Sequence, residues 1–217
     1  MYEASYISLG SCIKLDNVVR EAIRSYCVVE AMLQHLSLES GWRTVLVMGG
    51  SQGAHGINEA VVAVLGRFAG KNVQFIHLTG KEDENFVEEG YRKAGIPAFV
   101  SAFYDRMEEA YSVADLAVAR SGAASLTELS YFDLPTILIP YPFAAGNHQF
   151  FNAEIFARHG VAEVLEESRV NEDTLSSLID HFLNNGAMVR RTIGRLAALG
   201  PENAANRIVE IIEKSRK

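Results

Sequence analysis

RTVLVMGGSQGAHGINEA, running from Arg43 to Ala60, holds a short apolar run, a glycine-bracketed turn and the start of a helical pattern. The run VLVM suits a buried strand, and the glycines allow the chain to turn sharply into a helix. Working outward, the same rhythm continues: VQFIHL, AFV, DLAVA, TILIP and VAEVL read as strands, making six with the first. Amphipathic segments at residues 58–68, 84–94, 107–113, 126–132 and 148–158 read as the helices between them. The alternation predicts an α/β fold, a Rossmann-like parallel sheet flanked by helices.

Beyond the sixth strand, Thr174 to Leu183, Ala187 to Leu199 and Asn203 to Lys214 read as helices, parted by Asn184-Asn185-Gly186 and Gly200-Pro201. Residues 1–42 lack the βα rhythm, and Val18 to Leu36 reads as one amphipathic helix before the Ser40-Gly41 break. The expected organisation is therefore an extension or interdomain-linker remnant at 1–42 and a folded domain at 43–217. A chain of 217 residues, 48% of them hydrophobic, buries one sizeable core.

With 27 acidic and 20 basic residues the net charge is −7, and no basic stripe stands ready to neutralise nucleic-acid phosphates. Cys12 and Cys27 form no metal-ligand spacing and fit a reducing cytoplasm. Neither a basic leader nor an apolar run of about 20 residues occurs, so the chain is expected to be neither exported nor membrane-spanning.

In an open parallel sheet a ligand sits outside the carboxyl ends of the strands, which directs attention to three loops. The first is Gly49 to Ala54, where helix N-terminal amides would favour a phosphate, although any tight strand-to-helix turn also uses glycine. The second is Ser121-Gly122-Ala123-Ala124-Ser125, leading into Glu128. Ser125 and Glu128 have the spacing of a capping box, and a carboxylate at that position equally suits two ribose hydroxyls. The third runs from Tyr141 to Asn152 and groups His148, Gln149 and Asn152 at a helix start. Amides there supply the neutral donors and acceptors that sugar hydroxyls require, or else Asn147 caps the helix and the others face water.

Other chemistries fit less well. Gly50, Gly53 and Gly56 are spaced GxxGxxG, unlike the dinucleotide fingerprint, and no GK[ST] follows, which disfavours NAD and ATP. Gly49 to Gly53 matches the GxSxG nucleophile elbow, with Asp115 or Asp133 and His148 as partners for Ser51. Against it, Asp115 starts a strand, and few residues precede Ser51. The histidines fall into no metal-binding pattern.

Taken in order, VLVMGGSQGAHGINEA, HLTG, FYDRMEEAYSVADLAVARSGAASLTEL and PTILIPYPFAAGNHQFFNAEIF closely resemble the MurG family of glucosaminyltransferases, over about residues 43–217. The resemblance implies the C-terminal, UDP-GlcNAc-binding domain of a GT-B glycosyltransferase that converts lipid I to lipid II in peptidoglycan synthesis. It implies a diphosphate cradle at Ser51, Gln52, Gly53 and Ala54, a uracil-binding edge at Phe103 and Tyr104, and Met107 beside the base. Ala123, Ala124 and Ser125 resemble the second phosphate and sugar loop, and Glu128 the ribose-binding glutamate. His148, Gln149 and Asn152 fall at or beside the positions that recognise N-acetylglucosamine. Asn17-Val18-Val19-Arg20 is similar to the family's Asn-Pro-Val-Arg element, which would bring Arg20 toward the diphosphate.

The family's acceptor domain, with its GGTGGH loop and general base, has no counterpart in these residues. The implied partners are UDP-GlcNAc, an undecaprenyl-linked muramoyl-pentapeptide acceptor and a separate acceptor-domain polypeptide. The implied place is the cytoplasm, peripheral on the inner membrane. Transfer would invert the anomeric centre, with helix-terminal amides stabilising the departing diphosphate and no cofactor or protein-held metal.

Overall fold

The computed structural model describes residues 26–50 and 53–185. Six strands form one sheet: β1 (Arg43–Met48), β2 (Val73–Leu78), β3 (Ala98–Ser101), β4 (Leu116–Ala119), β5 (Thr136–Leu138) and β6 (Ala162–Val164). Their order is β3-β2-β1-β4-β5-β6, and every neighbouring pair is parallel. Each apolar run read from the sequence is one of these strands. The reason is burial on both faces: all of β2, β4 and β5 is buried, and β1 is buried from Thr44 onward, whereas edge strand β3 is only half-buried.

The helices are α1 (Tyr26–His35), α2 (His55–Val64), α3 (Glu84–Ala94), α4 (Met107–Val113), α5 (Ala123–Tyr131), α6 (His148–Arg158) and α7 (Glu172–Asn184). Side-chain alternation along the strands splits the core into two layers. Val45, Val47, Phe75 and Val118 pack with Ile57 and Val61 of α2, Val87 of α3 and Ile179 of α7. Leu46, Met48, Ile76 and Ala117 point the other way, onto Leu33 of α1, Tyr111 of α4 and Leu129 of α5. Leu33, Leu36 and Leu38 are buried in that second layer, so this part of the 1–42 stretch belongs to the packed core.

Helix starts differ from the periodicity reading. α2 begins three residues earlier, at His55, and tightens into a 3₁₀ turn at Leu65–Phe68. α7 begins at Glu172 because Asn171 caps it: the Asn171 side chain accepts from the amides of Asp173 and Thr174, and Thr174 returns a bond to the Asn171 amide. The expected helices at 187–199 and 203–214 lie outside the described residues, as does the expected 18–36 helix before Tyr26.

The strand order reverses between β1 and β4, because the chain travels outward from β1 to β3 and then crosses back to β4. Such a reversal opens a crevice at the carboxyl ends of the two central strands, where ligands of this fold class bind.

Candidate functional site

The loop after β1 is shaped by steric necessity. Gly50 and Gly53 take φ of 91° and 78°, and the Gly53 amide closes the turn on the Gly50 carbonyl at 3.0 Å. A methyl group on Gly53 would stand 2.2 Å from the Thr79 carbonyl oxygen, and one on Gly49 2.4 Å from Ala54. The turn delivers the chain into α2 with Ala54 as N-cap, a residue without a side-chain acceptor. No side chain therefore caps the His55 and Gly56 amides, which stand at the positive end of the helix dipole, while the Ile57 amide bonds the Ala54 carbonyl at 2.9 Å. Ser51 and Gln52 lie outside the described residues, as does Arg20.

The loop after β4 opens with Arg120, a residue that sequence reading overlooked. Its buried guanidinium donates to the Ile139 and Pro140 carbonyls at 3.1 and 3.2 Å, pairs with Glu167 and lies 5.4 Å from the centroid of Tyr141. It therefore ties the β4 loop to the β5 loop. Glu167 also packs on Gly56, where a methyl group would meet its carboxylate at 2.8 Å.

The expected Ser125–Glu128 capping box does not form. α5 starts at Ala123 with Gly122 as N-cap, which puts Ser125 inside the first turn. Glu128 instead accepts a hydrogen bond from the Tyr111 hydroxyl at 2.6 Å. Burial, then the adjacent Glu128 carboxylate, push the Tyr111 phenol well above its ordinary value, so it remains a donor. Glu128 is exposed and caps no helix. Ala123 and Ala124 are exposed at the helix start and Ser125 is half-buried.

After β3, Phe103 is exposed and its carbonyl accepts from the Ser101 hydroxyl at 2.7 Å. Tyr104 is buried and donates to Glu109 at 2.6 Å; burial, then that carboxylate, push its phenol up to about 12. Met107 opens α4, half-buried against the same core layer.

The third loop is stitched to the second through Ser121. The Ser121 hydroxyl donates to the Gln149 carbonyl at 2.7 Å, and the Asn152 amide donates to the Ser121 carbonyl at 3.1 Å. The Gln149 side-chain oxygen accepts from the Tyr141 amide at 3.0 Å, and His148 Nδ1 lies 2.7 Å from the Ala145 carbonyl oxygen. The Gln149 and Asn152 side chains thus each commit one polar group to holding the loop. Asn147 makes no side-chain cap; it is a left-handed residue at φ 54°. Ser121 was visible in the sequence only as a small hydroxyl residue directly after a strand.

The hydrolase alternative fails on position. Asp115 sits before β4, bonded to the Thr44 amide at 2.9 Å and to Arg43 at 2.7 Å, and Asp133 lies between α5 and β5. Both acids stand at the amino edge of the sheet, opposite the turn that follows β1. Among the described residues no cluster of His, Cys, Asp or Glu could hold a metal ion.

The family described as "Glycosyltransferase family 28 C-terminal domain" matches residues 44–207. A Halothermothrix orenii protein named UDP-N-acetylglucosamine--N-acetylmuramyl-(pentapeptide) pyrophosphoryl-undecaprenol N-acetylglucosamine transferase is 36% identical over 93% of this chain and 56% of its own. A protein of the same name from Thermodesulfovibrio yellowstonii is 39% identical over 81% of this chain and 49% of its own. The chain spans about half the length of the curated relatives it matches.

Among solved structures, Acinetobacter baumannii MurG matches with a TM-score of 0.74 at 27% identity, over 81% of this chain and 54% of that one. The C-terminal CMP-Kdo binding domain of Acinetobacter baumannii WaaA shares the fold, with a TM-score of 0.58 at 12% identity over 81% of this chain and 96% of that one.

Proposed function

Since this chain belongs to the glycosyltransferase family 28 C-terminal domain family, we propose that it is the donor-binding half of an inverting transferase that moves GlcNAc from UDP-GlcNAc to lipid I, giving lipid II. The observation that carries the reading is the convergence of three polar loops on one edge of the sheet, at the point where strand order reverses. In the proposed reaction the muramoyl 4-hydroxyl attacks the anomeric carbon. The bond from that carbon to the β-phosphate oxygen breaks, UDP departs and the hydroxyl proton passes to a base on the acceptor side.

Charge then grows on the diphosphate. The first-turn amides of α2, with Ser51, Gln52, Gly53 and Ala54, and those of α5, with Ala123, Ala124 and Ser125, are the proposed preorganised stabilisers. Arg20 is proposed to approach the same charge. The backbone at Phe103 and Tyr104 would hold uracil, with Met107 beside it, and Glu128 would accept from the ribose. His148, Gln149 and Asn152 would meet the sugar hydroxyls through the groups not spent on the loop. Holding the donor in register in this way removes orientational freedom before the acceptor arrives.

The acceptor, an undecaprenyl-linked muramoyl-pentapeptide, would be bound by a separate acceptor-domain polypeptide. No described helix is long and apolar enough to cross a membrane, and we place the chain peripherally on the cytoplasmic face, where the lipid acceptor is reached. Calorimetry with UDP-GlcNAc tests the donor site: saturable binding is expected, and its absence from folded protein at millimolar ligand overturns the reading. Activity that appears only on mixing with an acceptor chain supports the two-polypeptide form; full activity alone overturns that part.

A further inference from the structure

Behind the first loop lies a chain of polar side chains that the proposed chemistry does not use. Asn58 and His77 are both 0% exposed, which is costly unless every polar group is matched. They are matched, and the direction of each bond follows. The Asn58 Nδ2 group faces two pure acceptors, the Thr79 carbonyl at 2.9 Å and the Asp83 carboxylate at 2.7 Å, so it must be the donor end. Asn58 Oδ1 therefore accepts from His77 Nε2 at 2.9 Å, and His77 Nδ1 accepts from the Tyr91 hydroxyl at 3.1 Å. At the far end, His55 Nδ1 donates to Asp83 at 2.9 Å.

Asn58 is the branch point of this chain, and its two branches converge on the helix end of the glycine turn, at Gly53 and at His55. One fixes the Thr79 carbonyl, on which Gly53 rests so closely that a methyl group would overlap it. The other fixes Asp83, which holds His55, the first residue of α2. The Thr79 amide is itself held by the Ser101 carbonyl at 3.0 Å. The Gly80 amide, in the same peptide plane as the Thr79 carbonyl, donates to the Ala102 carbonyl at 3.1 Å, so that plane is held on both of its polar edges.

We infer that Asn58, oriented by His77, is a positioning residue that sets the backbone at Gly53, Ala54 and the start of α2 for a diphosphate without touching it. The inference rests on the donor-site reading above. An anion cradle made of amides works only when those amides are held to a fraction of an ångström. Asn58 acts through the Thr79 carbonyl and Asp83, so its removal affects the phosphate end of a nucleotide and spares the base end.

The test is a pair of titrations, UDP and uridine, on the whole chain and on Asn58→Ala, each with a thermal melt. UDP affinity is expected to fall by about tenfold or more while uridine affinity stays within about twofold. Should Asn58→Ala lack a cooperative melt, Asp83→Ala replaces it, because that substitution cuts only the branch to His55. Its expected effect is a loss of about threefold in UDP affinity and none in uridine affinity. Unchanged UDP binding in the folded variant, or an equal loss of both ligands, overturns the inference. If the unaltered chain binds neither ligand, the donor-site reading falls and takes the inference with it. UDP binding by the unaltered chain and by both variants alike removes the inference alone.

Discussion

The first and third loops meet at the same sheet edge yet are built on opposite plans. The first is a glycine turn braced from below by Asn58 and His77, which have no solvent exposure. The third stands on exposed residues, Phe143 at 82% and Phe151 at 56%, and is held by a few hydrogen bonds to Ser121 and Tyr141. The difference matches what each would bind. The proposed diphosphate concentrates charge, which amides fixed in place stabilise best, whereas the proposed sugar offers several neutral hydroxyls that an exposed rim can meet.

The most severe way to break the contrast is Gly53→Val. Positive φ and the 2.2 Å approach to the Thr79 oxygen leave no place for a side chain. The expected cost is about 3 kcal/mol or more in denaturant unfolding, with loss of UDP binding. The same change at Gly122, where a Cβ meets nothing within 4 Å, is expected to be far milder.

Acid attacks the brace of the first loop. Burial lowers the His77 pKa from 6.5 to about 3. The unfolded chain thus takes up a proton below pH 6.5 that the folded chain refuses until about pH 3. Stability is therefore expected to decline through that window, by at most about 1.4 kcal/mol per pH unit from this group. His55, raised chiefly by its hydrogen bond to Asp83, contributes its share fully below pH 6.5 and does not reverse the slope. Equilibrium unfolding at several pH values should show the slope in the unaltered protein and a flatter one in His77→Gln.

The third loop should yield to Ser121→Ala, which removes the donor to Gln149. A loss of about 1–2 kcal/mol is expected. UDP-GlcNAc affinity should fall more than UDP affinity, since the sugar end is the part released. Smallest is Asn171→Ala at the α7 cap, expected to cost about 1 kcal/mol in thermal unfolding and to leave both nucleotide affinities unchanged. A change in nucleotide affinity there would blur the distinction between loop and scaffold.

The same contrast explains what could be read in advance. The strands were legible because parallel strands buried on both faces need continuous apolar runs, and the loops because they follow those runs. Partners were not. Glu128 looked like half of a capping box from its spacing to Ser125, yet Gly122 starts the helix and Tyr111, 17 positions away, takes its oxygen. Arg120 meets Glu167, and Asn58 meets His77, only because parallel strands bring distant segments side by side. Periodicity carries no information about such pairings.

Ser121 gives both its hydroxyl and its carbonyl to α6, and Arg120 beside it holds the carbonyls of Ile139 and Pro140. Residues 139–158 are thus fastened by polar bonds at this dipeptide and by apolar packing of Ala153 and Phe156 with Leu126, Leu138 and Ala162. For protein engineering this makes them an exchangeable cassette: a graft from a related fold that keeps arginine and serine after its fourth strand and small and aromatic residues at the positions of Ala153 and Phe156 should seat in the same pose, without rebuilding the turn after β1.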